Sequence, residues 1–196
     1  MQIRIHGRGG QGVVSAAEML SIAAFIEGRY AQAFPSFGSE RMGAPVTAFC
    51  RISNYPIRVH EPVAQPDTLI IQDPTLLHQG SLFGGLHPDG YVLVNSSRDL
   101  DELGIGSYVG KLAPGHVVAA PATELALRYV GRPLPNSTLL GAFAAMTSEL
   151  RLESVLAAIR QKFAGKIGEA NAAAAQAAYA LVSCNEMREK IHVEAD

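Results

Sequence analysis

Tryptophan is absent from this 196-residue chain, and aromatic residues make up only 7% of it. Its core must therefore be built from aliphatic side chains and alanine. Cysteine is nearly absent too, with Cys50 and Cys184 alone. Two thiols cannot supply the four thiolates an iron–sulfur cluster normally takes. No Cys-x-x-Cys pair exists for zinc or dithiol chemistry. Both cysteines read as small buried hydrophobes in a reducing cytoplasm. Charge is sparse at 17%, with a net of −2, which gives no electrostatic case for a nucleic-acid partner. No apolar run reaches the ~18 residues of a membrane span, and the N-terminus enters a strand pattern directly, so a cytoplasmic location is expected. The six histidines, at 6, 60, 78, 87, 116 and 192, show no His-x-x-x-His spacing for a metal. Ser15, Ser36 and Ser81 lie in no Gly-x-Ser-x-Gly elbow.

Hydrophobic residues, by contrast, amount to 48%, ample for one folded unit. A single domain over 1–196 is expected, with a helical C-terminal extension at about 166–190. Charge is unevenly placed. Residues 1–60 hold Arg4, Arg8, Arg29, Arg41, Arg51 and Arg58 against Glu18, Glu27 and Glu40. A basic first third would suit a small polyanion.

Gln2-Ile3-Arg4-Ile5-His6 alternates with period two, as a strand does. The glycines of 7–12 break it, and Val13 to Glu27 then reads as a helix with Gly28 just past its end. Ala33 to Pro45 reads as a long structured loop, bracketed by prolines and glycines. Val46 to Ile52 and the short Ile57–Val59 suggest a hairpin around the turn at 54–56. Thr68 to Gln72, Tyr91 to Val94 and His116 to Ala119 are compact apolar runs suited to buried parallel strands. From 121 onward helices are expected at 122–130, 136–149, 152–163 and 168–190. Asn136 or Ser137 would cap the second, and Glu153 lies in the first turn of the third. In the last helix, alanines 170, 173, 174, 177 and 178 fall at helical spacing and predict a buried face. The expected fold is α/β, a Rossmann-like mostly parallel sheet flanked by helices, with a helical C-terminal portion.

Gly7-Arg8-Gly9-Gly10-Gln11-Gly12 matches Gly-x-Gly-x-x-Gly between a strand and a helix. Such glycines let the backbone turn tightly, and the helix start offers free N–H groups and partial positive charge to a phosphate. Arg8 adds a planar, permanently charged donor. A dinucleotide site also wants an acid ~20 residues on, for the ribose hydroxyl. Here the chain reads Arg29-Tyr30-Ala31-Gln32-Ala33-Phe34. A turn without that acid points to another phosphate-bearing cofactor, with a stand-alone NAD(P)-binding oxidoreductase as the alternative. The second constellation is Ser36-Phe37-Gly38-Ser39-Glu40-Arg41-Met42-Gly43-Ala44, a loop of small residues around an adjacent Glu–Arg pair.

These two segments, with the Arg-Ile-Ser strand at 51–53, resemble the gamma subunit of pyruvate and 2-oxoacid:ferredoxin oxidoreductases. Asp67-Thr68-Leu69-Ile70 resembles that family's Ala-Asp-x-Leu-Ile strand, and Asn136 to Gly141 its Asn-x-x-x-Leu-Gly helix start. The likeness spans most of residues 1–145. The family loop commonly reads Glu-x-Arg-Gly-Gly, whereas this chain has Glu40-Arg41-Met42-Gly43-Ala44.

The resemblance implies a complex that converts a 2-oxoacid and coenzyme A to an acyl-CoA, CO2 and two reducing equivalents. It implies thiamine diphosphate, Mg2+ and iron–sulfur clusters in alpha, beta and ferredoxin-like delta partner subunits. It gives the gamma chain the binding of coenzyme A and the capping of the active site, with no redox chemistry of its own. Gly7, Arg8, Gly9, Gly10, Gln11, Gly12, Ser36, Phe37, Gly38, Glu40, Arg41 and Asn136 are then the cofactor-binding candidates. No residue is expected to be catalytic or to bind metal.

Overall fold

The computed structural model describes residues 1–36, 42–79 and 81–193. Six strands form one sheet: β1 (Gln2–Arg8), β2 (Tyr30–Pro35), β3 (Pro45–Ser53), β4 (Thr68–Ile71), β5 (Tyr91–Asn95) and β6 (Val117–Ala120). Six helices accompany them: α1 (Val13–Ile26), α2 (Gly106–Val109), α3 (Ala122–Val130), α4 (Asn136–Thr147), α5 (Leu152–Lys162) and α6 (Gly165–Val193). The sheet order is β2-β3-β1-β4-β5-β6. β1, β4, β5 and β6 run parallel, and the β2–β3 hairpin joins β1 antiparallel. This is the expected α/β class.

The strand alternation in β1 is explained by its two faces. Ile3 and Ile5 are fully buried against the helices, while Gln2, Arg4, His6 and Arg8 lie on the other face. β4, flanked by β1 and β5, is buried at all four positions, which is why it reads as an unbroken apolar run. The hairpin departs from expectation. Its first arm is β2, whose second half falls in the segment expected as a loop, and Ile57–Val59 forms no strand. Alternation in Tyr30–Phe34 is masked by alanines that serve either face.

α4 is the central helix, buried at every position from Asn136 to Met146. A helix apolar on all sides belongs inside, and here α1, α3, α5 and α6 surround it. Its N-cap position is Pro135 rather than Asn136 or Ser137, and no side chain caps it. α6 buries Asn171, Ala172, Ala174, Ala175, Ala178 and Val182, while residues 170, 173 and 177 are not buried. The buried face therefore lies rotated from the one read off the alanine pattern. Cys50 is fully buried, and burial pushes its thiol up to about 12. Cys184 is exposed, against expectation.

On the opposite sheet face, a 3₁₀ turn at Pro74–His78, α2 and loops cover β4 to β6 through a second apolar cluster that includes Leu69, Ile71, Val92 and Val94. Over β1 and β3, arginines take the place of a helix. Arg4 donates to the carbonyls of Leu82 at 2.9 Å and Gly84 at 2.7 Å, and Arg51 to that of Glu61 at 2.5 Å. Arg29 pairs with the Glu149 carboxylate at 2.6 Å. Three arginines of the basic first third thus hold protein groups.

His6 sits among these arginines. Its Nε2 accepts from Arg4 Nε at 3.1 Å, so the ring is neutral with its proton toward Thr47. Burial, then the Arg4 charge, lowers its pKa to about 4 from the ordinary imidazole value of 6.5. The unfolded chain therefore binds a proton between pH 6.5 and 4 that the folded chain refuses, so this contribution is full above 6.5 and falls as pH drops toward 4. The expected loss is roughly 3 kcal/mol, at about 1.4 kcal/mol per pKa unit. Denaturant titrations at pH 7 and 4.5, repeated with His6→Gln, should show the acid loss shrink in the variant; an unchanged loss would place the sensitivity elsewhere.

Candidate functional site

The chain leaves β1 through α1 toward β2 and β3, then returns to β4 on the other side of β1. The crevice outside the carboxyl ends of β1 and β4 is thus the switch point of the sheet, where open α/β folds receive ligands. The glycine segment of residues 7–12 lies there. Gly7 and Arg8 end the strand, and Gly9 to Gly12 form the turn into α1. Gly10 has φ 94° and Gly12 φ 72°, left-handed values that favour glycine. Gly12 is closed from behind by Asn136, whose side-chain amide occupies the place a Cβ would take. Met42 lies over Gly10, its Cε 3.0 Å from where a Cβ would stand.

Asp73, which reads in the sequence as ending a strand and starting a helix, caps the 3₁₀ turn at Pro74–His78, and with Thr75 it braces the glycine turn. Gln11 Oε1 accepts from the Arg8 amide at 2.8 Å, and Gln11 Nε2 donates to Asp73 Oδ2 at 2.8 Å. Arg8 Nε lies 3.1 Å from that same oxygen, its Nη2 donates to Thr75 Oγ1 at 2.7 Å, and its Nη1 to the Gly43 carbonyl at 3.0 Å. Asp73 Oδ1 accepts from the Thr75 amide and hydroxyl at 3.0 and 2.5 Å. Burial alone would raise the Asp73 pKa; hydrogen bonds from Thr75 and Gln11, and the Arg8 charge, outweigh it and lower it. The carboxylate is therefore ionised. The Asp-Pro-x pattern at 73–75 signals a capped turn, but not its contact with a residue more than sixty positions away.

The opposite side of the turn is tied to the segment before β3. The Gly9 amide donates to the Ala44 carbonyl at 2.9 Å, and the Gly43 amide to the Gly9 carbonyl at 3.1 Å. A recess of about 310 Å³ opens here, lined by Arg8, Gly9, Gly10, Gly12, Val13, Val14, Ser15 and Val46. The amides of Val13, Val14 and Ser15 have no intrahelical acceptor, as at any helix start. A second recess, of about 470 Å³, lies across the turn and is lined by Gln11, Asp73, Thr75, Asn95, Arg98, Glu124 and four prolines, among others. Among the described residues the first recess is lined by Arg8 and the free amides of the α1 start and by no carboxylate, so it is the one suited to phosphate. Ser36 lies exposed just past β2, its amide bonded to the Thr47 carbonyl at 2.8 Å. Phe37, Gly38, Glu40 and Arg41 lie outside the described residues. Among the described residues no cluster of three or more His, Cys, Asp or Glu could hold a metal ion, and no helix is long and apolar enough to cross a membrane.

Fold and turn together define the class: an open α/β domain with a glycine-rich strand-to-helix turn at its switch point. The family model for pyruvate ferredoxin/flavodoxin oxidoreductase matches residues 2–181, and the chain belongs to that family, among its gamma subunits. It is 45% identical to the pyruvate/ketoisovalerate oxidoreductases common subunit gamma of Pyrococcus furiosus, over 91% of this chain and 95% of that one. It is likewise 45% identical to pyruvate synthase subunit PorC of Methanothermobacter marburgensis, over 91% and 96%. The crystal structure of pyruvate oxidoreductase subunit PORC from Thermotoga maritima superposes with a TM-score of 0.76 at 37% identity, over 91% and 94%. The same fold forms 31% of a 2-oxoglutarate:ferredoxin oxidoreductase chain of Magnetococcus marinus, with a TM-score of 0.73 at 16% identity over 94% of this chain.

Proposed function

We propose that this chain is the coenzyme-A-binding gamma subunit of a 2-oxoacid:acceptor oxidoreductase that decarboxylates a 2-oxoacid to an acyl-CoA. It forms one domain over 1–196, works in the cytoplasm, caps the active site and takes no part in electron transfer. Its partners are alpha, beta and ferredoxin-like delta subunits, and thiamine diphosphate, Mg2+ and iron–sulfur clusters reside there. Membership of the family supports the complex. The observation that supports coenzyme A is the recess beside the turn, lined by Arg8 and the start of α1 with no carboxylate among the described lining residues.

The residues fit a diphosphate. The Val13, Val14 and Ser15 amides would hold its oxygens, Arg8 would flank it, and Asn136 behind Gly12 would keep the turn in shape. When bound, coenzyme A supplies the thiol that accepts the acyl group. A nicotinamide dinucleotide fits less well. Asp73 is the carboxylate nearest the turn among the residues described there, and both its oxygens already accept from Arg8, Gln11 or Thr75. None is left for a ribose.

Calorimetric titration of the full chain with coenzyme A tests the reading, at about 0.1 M and about 1 M salt, over which the screening length falls from ~10 to ~3 Å. Binding is expected, with an affinity that weakens less than about tenfold. Arg4, Arg29 and Arg51 are occupied by protein groups, and amide contacts screen weakly. Absence of binding at both salts would remove coenzyme A from this chain.

A further inference from the structure

One buried side chain at the switch point has nothing to bond. Gln72 follows β4, is 1% exposed, and neither its Nε2 nor its Oε1 makes a hydrogen bond. Its backbone is fixed: its amide donates to the His6 carbonyl at 2.7 Å and its carbonyl accepts from Asn95 Nδ2 at 2.8 Å. Its place is under the glycine turn. A Cβ on Gly7 would stand 3.2 Å from Gln72 Cβ, 3.0 Å from Gln11 Oε1 and 2.6 Å from Val13 Cγ2. These three side chains close around one point. A buried amide left unpaired destabilises the fold, and an apolar side chain of the same shape would serve the ligand-free chain better.

The glycine turn, which reaches the same point through the Gln11 side chain, also holds a peptide group that no described residue engages. In the turn, the carbonyls of Arg8, Gly9 and Gly12 accept from the amides of Gln11, Gly43 and Ala16. The Gln11 carbonyl and the Gly12 amide, the two ends of one peptide group, form no hydrogen bond among the described residues. That group can rotate without breaking a bond, and glycine at 12 tolerates the backbone angles on either side of the rotation.

We infer that Gln72 is a positioning residue for the anion at the turn: the Gln11–Gly12 peptide turns its N–H outward to the anion and its carbonyl inward onto the Gln72 amide. In a trans peptide the two groups point in opposite directions, so one movement delivers both. Gln72 thus gains in the liganded state the partner it lacks in the free one, and that gain favours binding. This rests on the reading of the turn as the phosphate site.

Two probes, coenzyme A and inorganic pyrophosphate, separate the two ideas in titrations of the full chain and of Gln72→Met. The variant is expected to melt higher than the parent without ligand and to bind both probes about tenfold more weakly, the loss of one hydrogen bond on the scale of a tenfold per ~1.4 kcal/mol. The Gly12 amide proton resonance of the parent should move downfield on adding pyrophosphate, and less so in the variant. A purely structural role would cost stability and leave affinity alone, so a lower melting point or unchanged binding in Gln72→Met overturns the inference. If pyrophosphate binds and coenzyme A does not, the cofactor assignment falls and the pyrophosphate comparison still decides the role of Gln72. If neither binds, both fall.

Discussion

Gly141→Ala is expected to lower the thermal midpoint of the chain by about 4–8 °C. α4 and α6 pack tightly at this residue. A Cβ on Gly141 would lie 2.6 Å from the Ala175 carbonyl carbon and 2.9 Å from its Cα, and closer still to its oxygen. All three atoms belong to the backbone of a 29-residue helix, so no side chain can rotate away. Nor can α4 withdraw, because it is buried nearly all round. Overpacking of this kind costs about 1–3 kcal/mol and more against rigid backbone. Alanine recovers up to about 1 kcal/mol of helix propensity. A net of about 2 kcal/mol moves the midpoint of a domain this size by about 4–8 °C. Circular dichroism melts of the two proteins measure it. An unchanged midpoint would mean that α6 does not rest on α4 as described, and would remove the tight helix contact from the fold.

The contact also shows where sequence reading stops. Gly141 is legible as a small residue in a helix, and the alanines of α6 as small residues in another, but neither names its partner. Alanine on every side of α6 carries no period, so its buried face was read one step off. Segments with a strong local signal fared better. The alternation in β1, the unbroken apolar run of β4, and the glycine turn between strand and helix are each fixed by neighbours close in sequence. β2 was hidden because its pairing with β3 is set from the far side of the 36–44 segment. The candidate site divides along the same line. Gly7 to Gly12 announced the turn and the asparagine of Asn-x-x-x-Leu-Gly was picked out by resemblance, and the structure brings Asn136 against Gly12. Gln72 is legible as the end of an apolar run and Asp73 as a strand end that starts a helical turn, but their part in the site, and that of Thr75, depends on a parallel neighbour reached only after β2 and β3 have been laid down.

Arg8→Ala is expected to weaken coenzyme A binding about 10- to 100-fold. A charge-assisted contact to phosphate is worth on the order of 1.5–3 kcal/mol, at ~1.4 kcal/mol per tenfold. The structure adds a second cause. Arg8 offsets the Asp73 carboxylate at 3.1 Å; burial raises that acid's pKa, and hydrogen bonds from Thr75 and Gln11, ahead of the Arg8 charge, lower it and favour the ionised form. Removing Arg8 therefore leaves a negative charge beside the phosphate site as well as a missing donor. The variant also loses the Arg8 bonds to Thr75 and to the Gly43 carbonyl, so a thermal melt of each chain checks that the fold is retained. The double variant Arg8→Ala/Asp73→Asn separates the two causes. It should bind coenzyme A more tightly than Arg8→Ala alone, though not as tightly as the parent, because the repulsion is gone and the donor is still missing. Calorimetric titration of the three chains reads both differences. If Arg8→Ala binds as the parent does, Arg8 only braces the turn and the phosphates are held by amides alone. If the double variant binds no better than the single one, Asp73 exerts no field on the ligand, and the recess beside α1 is not where the diphosphate lies.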